Sequence, residues 1–262
     1  MRYTLGEKDV KFIATADTDI GISKSTNQDS LLVKHASYHG NEVLMAVVCD
    51  GMGGLSKGEV ASATVVRAFN KWFDEELESE LQNSDLQLIG TKWERILKDL
   101  NLKISEYGID IGTSLGTTFS GILFINDSYV IAHVGDTRIY EIGNHLTQLT
   151  EDQTFIAREI RLGTLTAEQA KTDKRRNMLL QCIGASRTVE PQLFYGNTKK
   201  GAYMLCSDGF RHEISEEEIY EALNPTFLSG KEVMHQKVQA LIEQVKMRQE
   251  KDNISAILIK VD

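Results

Sequence analysis

The chain contains 262 residues, 41% of them hydrophobic and 26% charged, with a formal net charge of -9. This composition is sufficient for a sizeable core, and no Gly/Ser-rich linker divides it, so we expect a single domain over residues 1–262. The acidic balance disfavours nucleic acid and anionic membranes as partners. Since the sequence shows no apolar run of about 18 residues and no signal peptide, we expect a cytoplasmic protein.

Segments rich in Val, Ile, Leu, Phe and Tyr, bounded by Gly, Asn or Asp, are predicted to be strands. They cover residues 10–16, 30–36, 43–49, 117–125, 129–134, 137–142, 191–196, 202–206 and 254–261. Asn126-Asp127 separates two such runs, which predicts a hairpin, and Gly143-Asn144 predicts a second one.

Helical spacing of apolar residues predicts helices over residues 57–78, 86–107 and 232–248, with Gly108 ending the second one. Ser215-Glu-Glu-Glu218 is a capping box that predicts the start of a further helix. Strands and amphipathic helices grouped in this way favour two sheets packed face to face, with helices on the outer faces.

Four aspartates lie beside glycine or asparagine at the ends of apolar runs. Asp50, Asp136 and Asp208 follow predicted strands, and Asp252 precedes one. Each of them taken alone is also typical of a turn. In antiparallel sheets, however, the end of one strand and the start of its neighbour share an edge, so the four carboxylates are predicted to converge. Such an oxygen-rich cluster suits Mg²⁺ or Mn²⁺.

Together these segments resemble the bacterial-type members of the type 2C (metal-dependent, PPM) Ser/Thr protein phosphatases. The resemblance extends from about Phe12 to Val261. It rests on seven stretches in order: Thr26-Asn-Gln-Asp29, Asp50-Gly-Met-Gly-Gly54, Gly116-Thr-Thr118, Val134-Gly-Asp-Thr-Arg138, Leu149-Thr-Glu-Asp152, Ser207-Asp-Gly209 and Asp252-Asn-Ile254. It implies an α+β fold, an α-β-β-α sandwich of two antiparallel sheets flanked by helix pairs, with a small flap at about residues 153–177.

The resemblance also implies roles for individual residues. Asp50 would bridge two tightly bound Mn²⁺ or Mg²⁺ ions, the Gly51 carbonyl would bind one of them, and Asp208 and Asp252 would bind the other. Asp29 would orient metal-bound water. Asp136, with Asp208, would hold a third, weaker ion. Gly53 and Gly54 would allow a tight backbone turn beside the ions, and Asn253 would steer Asp252 or a bound water.

Three positions depart from the family pattern. Lys24 stands where the family has a phosphate-binding arginine, so positive charge is kept but the bidentate fork is lost. Met52 replaces the histidine of eukaryotic members, and Gln153 replaces a histidine that often follows the Leu-Thr-x-Asp segment.

Within the flap, residues 155–162 and the capping box Thr166-Ala-Glu-Gln169 predict two helices, followed by the basic residues Lys171, Lys174, Arg175 and Arg176. The alternative is a solvated surface hairpin. His133 is expected to be a sheet or core histidine, and Arg138 is a candidate partner for a carboxylate. Cys49, Cys182 and Cys206 lack metal-site spacing and are expected to be small buried residues.

The expected function is therefore hydrolysis of phosphoserine and phosphothreonine in proteins by a metal-bridging water or hydroxide, without a protein nucleophile. The expected partners are phosphorylated proteins, substrates of a Ser/Thr kinase, and the expected state is a monomer. The alternative is an inactive pseudophosphatase that binds phosphoproteins, although the aspartates that such proteins would lose are present here. A metal-dependent nuclease is disfavoured by the negative charge and by the lack of a basic, aromatic stripe.

Overall fold

The structure is a computed structural model that describes residues 10–38, 40–52, 57–82, 85–170, 172–176 and 178–262. Gly53 and Gly54, for which a tight turn was predicted, lie outside the described residues. So do Lys171 and residue 177 of the predicted flap. Over the described ranges, none of the helices is both long enough and apolar enough to cross a bilayer.

Two five-stranded antiparallel sheets form the centre of the fold. The first sheet contains, in spatial order, β1 (Phe12–Asp19), β10 (Ile254–Val261), β9 (Gly201–Cys206), β6 (Arg138–Ile142) and β7 (Leu146–Gln148). The second contains β2 (Ser30–Tyr38), β3 (Asn41–Cys49), β4 (Phe119–Ile125), β5 (Ser128–Val134) and β8 (Gln192–Asn197). All nine predicted strands are confirmed. β7 was not predicted, because it has only three half-buried residues and therefore little apolar periodicity.

Helices cover the outer face of each sheet. The second sheet packs against α1 (Gly58–Glu75), α2 (Leu77–Leu81) and α3 (Leu86–Asp110). The first packs against α6 (Asp208–Arg211), α7 (Glu216–Leu223) and α8 (Lys231–Met247), with a 3-10 turn at Pro225–Phe227 between the last two. The capping box that begins α7 is confirmed, because the Ser215 and Glu218 side chains each accept from the other's backbone N–H.

Two helix boundaries differ from the prediction. The first predicted helix is divided at Glu76 into α1 and α2. The prediction that Gly108 ends the next helix is wrong, since α3 continues to Asp110. Gly108 is needed for packing instead, because a Cβ there would lie 2.7 Å from the backbone oxygen of Thr113. Gly112, with φ of +66°, follows the helix end and provides the left-handed turn.

Three apolar layers hold the sandwich together. The outer layer on the second sheet is aromatic, and Trp72 and Trp93 meet edge to face at 5.5 Å there, as expected for residues that pack helices on a sheet. The layer between the sheets includes Leu44, Phe124, Ile131, Tyr203 and Ile257. Residues on the opposite faces of the first-sheet strands pack against α7 and α8. This alternation confirms two sheets packed face to face.

Both predicted hairpins are present, at Asn126 between β4 and β5 and at Gly143 between β6 and β7. The predicted flap follows β7 and contains α4 (Phe155–Arg161) and α5 (Ala167–Ala170). A bridge between Thr154 and Leu179 closes its base.

Candidate metal centre

Strand register brings the predicted aspartates to one edge of the sandwich. In the second sheet, Ser30 pairs with Cys49, so Asp29 immediately precedes β2 where Asp50 immediately follows β3. In the first sheet, Cys206 pairs with Ala256, which places the segments carrying Asp208 and Asp252 side by side. Val134, two residues before Asp136, is at the same end of β5.

Close backbone packing fixes the two first-sheet segments. A Cβ on Gly209 would lie 2.2 Å from the Asn253 backbone oxygen, so only glycine fits between Asp208 and the next strand. Asn253 accepts from the Gln28 N–H at 2.9 Å and donates to the Ile20 carbonyl at 2.9 Å. Its side chain therefore joins the two sheets' edge loops. Only its backbone N–H reaches the Asp252 carboxylate, at 2.9 Å.

Asp50 is held through its backbone. Its N–H donates to the Thr118 hydroxyl, and its carbonyl accepts from the Thr117 hydroxyl and the Thr118 N–H, all at 2.9 Å. The N–H of the next residue, Gly51, donates to the Gln28 carbonyl at 3.1 Å. This bond fixes the backbone of the turn that carries the Gly51 carbonyl. Burial, followed by the charges of Asp29 and the other aspartates, raises the pKa of Asp50 well above its usual value.

Asp29 lies within the cluster, beside Asp50, Asp208 and Asp252. Both of its carboxylate oxygens are buried and have no hydrogen-bond partner of normal geometry. Burial raises its pKa to about 7, and the charges of Asp208 and Asp252 add to this, although the nearby hydroxyls of Ser255 and Ser207 lower it. One buried oxygen of Asp208, Oδ1, is likewise unpartnered. Unpaired carboxylate oxygens at such depth are costly unless a cation compensates them.

Lys24 lies at the mouth of this carboxylate cluster. Its Nζ is 2.7 Å from Asp252 Oδ1, with side-chain exposures of 30% and 39%. Burial would lower the pKa of Lys24, but the bond to Asp252 and the charges of Asp50 and Asp208 raise it, so the ammonium stays charged. The structure thus brings Lys24 together with the predicted ligands.

Asp136 belongs to a neighbouring arginine-rich cluster. Arg211 Nη2 donates to its backbone oxygen at 3.0 Å and lies 3.6 Å from Oδ2, while Arg211 Nε is buried without a partner. Burial, then the charge of Asp208, raises the pKa of Asp136 to about 7, although Arg211 opposes this. Arg138 grips Asp152 with two hydrogen bonds of 2.9 and 2.8 Å, so the expectation of a carboxylate partner for Arg138 is confirmed.

Gln153 and His133 support the loop that carries Asp136. Gln153 accepts from the Gly135 N–H through Oε1 at 2.9 Å and donates its own N–H to the Gly135 carbonyl at 2.8 Å. His133 is fully buried in β5, 2.8 Å from the Ser120 hydroxyl and 3.1 Å from the Glu151 carbonyl. Burial lowers its pKa to about 4, which confirms a neutral core histidine.

Arg211 and His212 also belong to the site, although neither was predicted from the sequence. His212 lies 3.5 Å from Asp208 Oδ2 and 3.4 Å from Glu250 Oε2. Arg211 and His212 lie two and three residues after Gly209 of the Ser207-Asp-Gly209 segment, and this proximity was the available signal. All three cysteines are buried and free, as expected.

The donor set fits a hard divalent cation. Asp29, Asp50, Asp208 and Asp252 provide only oxygen, and three buried carboxylate oxygens among them have no partner. In the described ranges, no three His, Cys, Asp or Glu side chains are drawn into a closed ligand set.

A groove of about 1010 Å³ connects the carboxylates to the flap. Its lining includes Lys24, Asp136 and Asp252 together with Ile156 and Arg176 of the flap. Flap residues therefore line the same groove as Lys24, Asp136 and Asp252.

Comparisons with known proteins agree with this geometry. The family model described as Protein phosphatase 2C matches residues 22–252. The serine/threonine phosphatase stp of Listeria monocytogenes is 30% identical over 223 residues, which cover 83% of this chain and 84% of the relative. The structure of the serine/threonine phosphatase Stp1 from Staphylococcus aureus superposes with a TM-score of 0.81 and 26% identity over the full length of both chains.

A further solved structure contains metal. The catalytic domain of the serine threonine protein phosphatase PstP, in complex with two manganese ions, has a TM-score of 0.75 and 27% identity, covering 96% of this chain and 99% of that one. The family model matches most of the sequence, the sandwich is shared, and the aspartates meet where the motifs predict. The chain belongs to the protein phosphatase 2C family.

Proposed function

We propose that this protein is a Mn²⁺- or Mg²⁺-dependent phosphatase that removes phosphate from serine and threonine side chains of proteins. The observation that carries the proposal is the meeting of four aspartates, with three buried and unpartnered carboxylate oxygens, at one edge of the sandwich. The names of the serine/threonine phosphatases to which the chain is similar support the substrate class.

We assign two ions to this site. Asp50 is the proposed bridging ligand, the Gly51 carbonyl the proposed ligand of one ion, and Asp208 and Asp252 the proposed ligands of the other. The two manganese ions in the PstP structure support this number. Asp136 is a candidate for a weaker third ion only if the adjacent guanidinium of Arg211 gives way.

When bound, the ions would polarise the phosphoryl group and lower the pKa of a bound water, so that hydroxide is available at neutral pH. The residues of the chain then have three tasks. Asp50, Asp208 and Asp252 neutralise and position the cations, and Asp29, buried behind them, accepts hydrogen bonds that orient water. Lys24 offers its ammonium to the phosphate at the mouth of the groove. No cysteine is needed, since burial raises the pKa of Cys206 to about 12 and keeps the thiol protonated.

The groove suggests how a phosphoprotein segment binds. It extends from Lys24 to Arg176, so a peptide that places its phosphate near Lys24 would lie along α4 and meet a second cation. Three free, buried cysteines support a reducing compartment such as the cytoplasm. Substrates of a Ser/Thr kinase, a monomeric state and a single domain remain part of this proposal.

Metal-stripped protein tests the function directly. Hydrolysis of a phosphothreonine peptide should be absent in EDTA and should appear when Mn²⁺ or Mg²⁺ is added back. Asp252→Asn is the matched control, because it removes one negative charge and almost no volume. Binding of the peptide without turnover at saturating Mn²⁺ would instead identify a pseudophosphatase.

A further inference from the structure

Arg211 is a cation at the position where a third metal ion would be expected. Its Nη2 atom lies 3.0 Å from the backbone oxygen and 3.6 Å from Oδ2 of Asp136, and its side chain is only 14% exposed. We propose that Arg211 takes the place of a third divalent cation beside Asp136, so that this chain binds two ions and not three. The inference rests on the proposed function, since it concerns the same metal centre.

The charge balance differs between the two neighbouring clusters. At the edge of the sheets, four carboxylates (Asp29, Asp50, Asp208 and Asp252) face the ammonium of Lys24, and His212 lies 3.5 Å from Asp208. Around Asp136, the largely buried carboxylates of Asp136 and Asp152 lie beside the guanidinium groups of Arg138 and Arg211, and the exposed Glu216 lies 3.6 Å from Arg138. The first cluster therefore has excess negative charge for cations to neutralise, whereas each buried carboxylate of the second already has a guanidinium group beside it.

Arg211 is also fixed in place. It is the last residue of α6, three positions after Asp208, and it lies 3.8 Å from Asp152 Oδ2 as well as beside Asp136. The loop that carries Asp136 is held by Gln153, which makes two hydrogen bonds to the backbone of the preceding residue, Gly135. Arg211 and Asp136 are therefore each held by their own surroundings: Arg211 by α6 and Asp152, and the loop of Asp136 by Gln153.

A divalent ion at Asp136 would have to approach this guanidinium closely. The two cations would repel each other in a poorly hydrated site, and moving Arg211 aside would leave a buried arginine without its partner. Asp208 is close enough for its charge to act on both Asp136 and Arg211. The Arg211 guanidinium therefore attracts the carboxylates of both Asp136 and Asp208.

Metal stoichiometry tests the inference without relying on activity. Metal-stripped protein is titrated with Mn²⁺ in equilibrium dialysis, and free Mn²⁺ is counted by electron paramagnetic resonance. The wild-type protein and Asp136→Asn should both bind two ions. Arg211→Met should gain a weaker third ion, and the double variant Arg211→Met/Asp136→Asn should lose it again. Arg161→Met is the control, because it removes the same charge from an exposed flap arginine.

Three results would overturn the inference. The first is a wild-type protein that binds three ions and loses one in Asp136→Asn. The second is an Arg211→Met protein that still binds two. The third, no Mn²⁺ binding by the wild-type protein, would refute the proposed metal site together with this inference, whereas the first two leave the proposed function intact. If Arg211→Met does not fold, Arg211→Gln, which keeps a donor for the Asp136 carbonyl, replaces it with the same expected gain.

Discussion

Asp29→Asn should stabilise the metal-free protein at alkaline pH. The pKa of Asp29 is raised to about 7 in the folded chain by burial, while an unfolded aspartate titrates near 3.8. The folded state therefore keeps a proton that the unfolded state has lost, and stability falls as pH rises from about 4 to about 7. Above pH 7 the ionised Asp29 costs at most ~4 kcal/mol, at ~1.4 kcal/mol per pKa unit.

The neutral asparagine avoids this cost, although its amide NH₂ group also requires a partner. We therefore expect a gain of about 2 kcal/mol or more at pH 8, which corresponds to a rise in Tm of roughly 4–8 °C for a chain of this size. The gain should shrink by about 2 kcal/mol at pH 5, where the unfolded state is close to taking up the proton as well.

Thermal unfolding in EDTA at pH 8, 6.5 and 5 measures this difference. His133 acts in the opposite direction, since its lowered pKa of about 4 makes stability fall as pH drops below 6.5, but it cancels between the two proteins. Asp99→Asn is the control, because Asp99 is exposed on α3. A difference between wild type and Asp29→Asn that is the same at all three pH values would refute the reasoning, since a packing defect does not titrate.

Three further predictions concern turnover. Asp252→Asn should reduce hydrolysis of a phosphothreonine peptide at least about a hundredfold at saturating Mn²⁺, because a charged ligand is lost. Near-normal activity of this variant, with an unchanged circular dichroism spectrum, would contradict the metal assignment. Lys24→Arg should lower KM about fivefold, the equivalent of about 1 kcal/mol, whereas Lys24→Ala should raise KM more than it lowers kcat. If Lys24→Ala leaves KM unchanged on both the peptide and p-nitrophenyl phosphate, Lys24 does not bind phosphate. Cys206→Ser should lower Tm without a specific loss of kcat, and trapping of a phosphocysteine would exclude the water mechanism.

Local signals predicted most of the fold. Strands such as β3 and β10 are long apolar runs with clear boundaries, so their positions followed from residue type alone. The short β7 was missed because three half-buried residues show no period. The end of α3 was misplaced because Gly108 has a packing role that depends on Thr113, and glycine at a helix end and glycine in a tight helix contact look alike in sequence.

The positions of the aspartates were predictable for a different reason. Each one adjoins a strand end, and antiparallel pairing determines which ends meet, as Ser30 with Cys49 shows. The partners of those aspartates were not predictable in this way. Whether Lys24 turns toward Asp252 depends on a contact between residues 228 positions apart, which no local pattern encodes.

The same distinction separates the two acidic positions that the motifs treat alike. Asp208 and Asp136 both follow strands beside a glycine, yet one has a buried oxygen without a partner and the other has a guanidinium beside it. An aspartate is suited to a metal when its surroundings leave its charge uncompensated. That condition is set by distant side chains such as Arg211, so a motif can identify where a carboxylate lies, whereas only the three-dimensional charge balance indicates whether it is free to bind an ion.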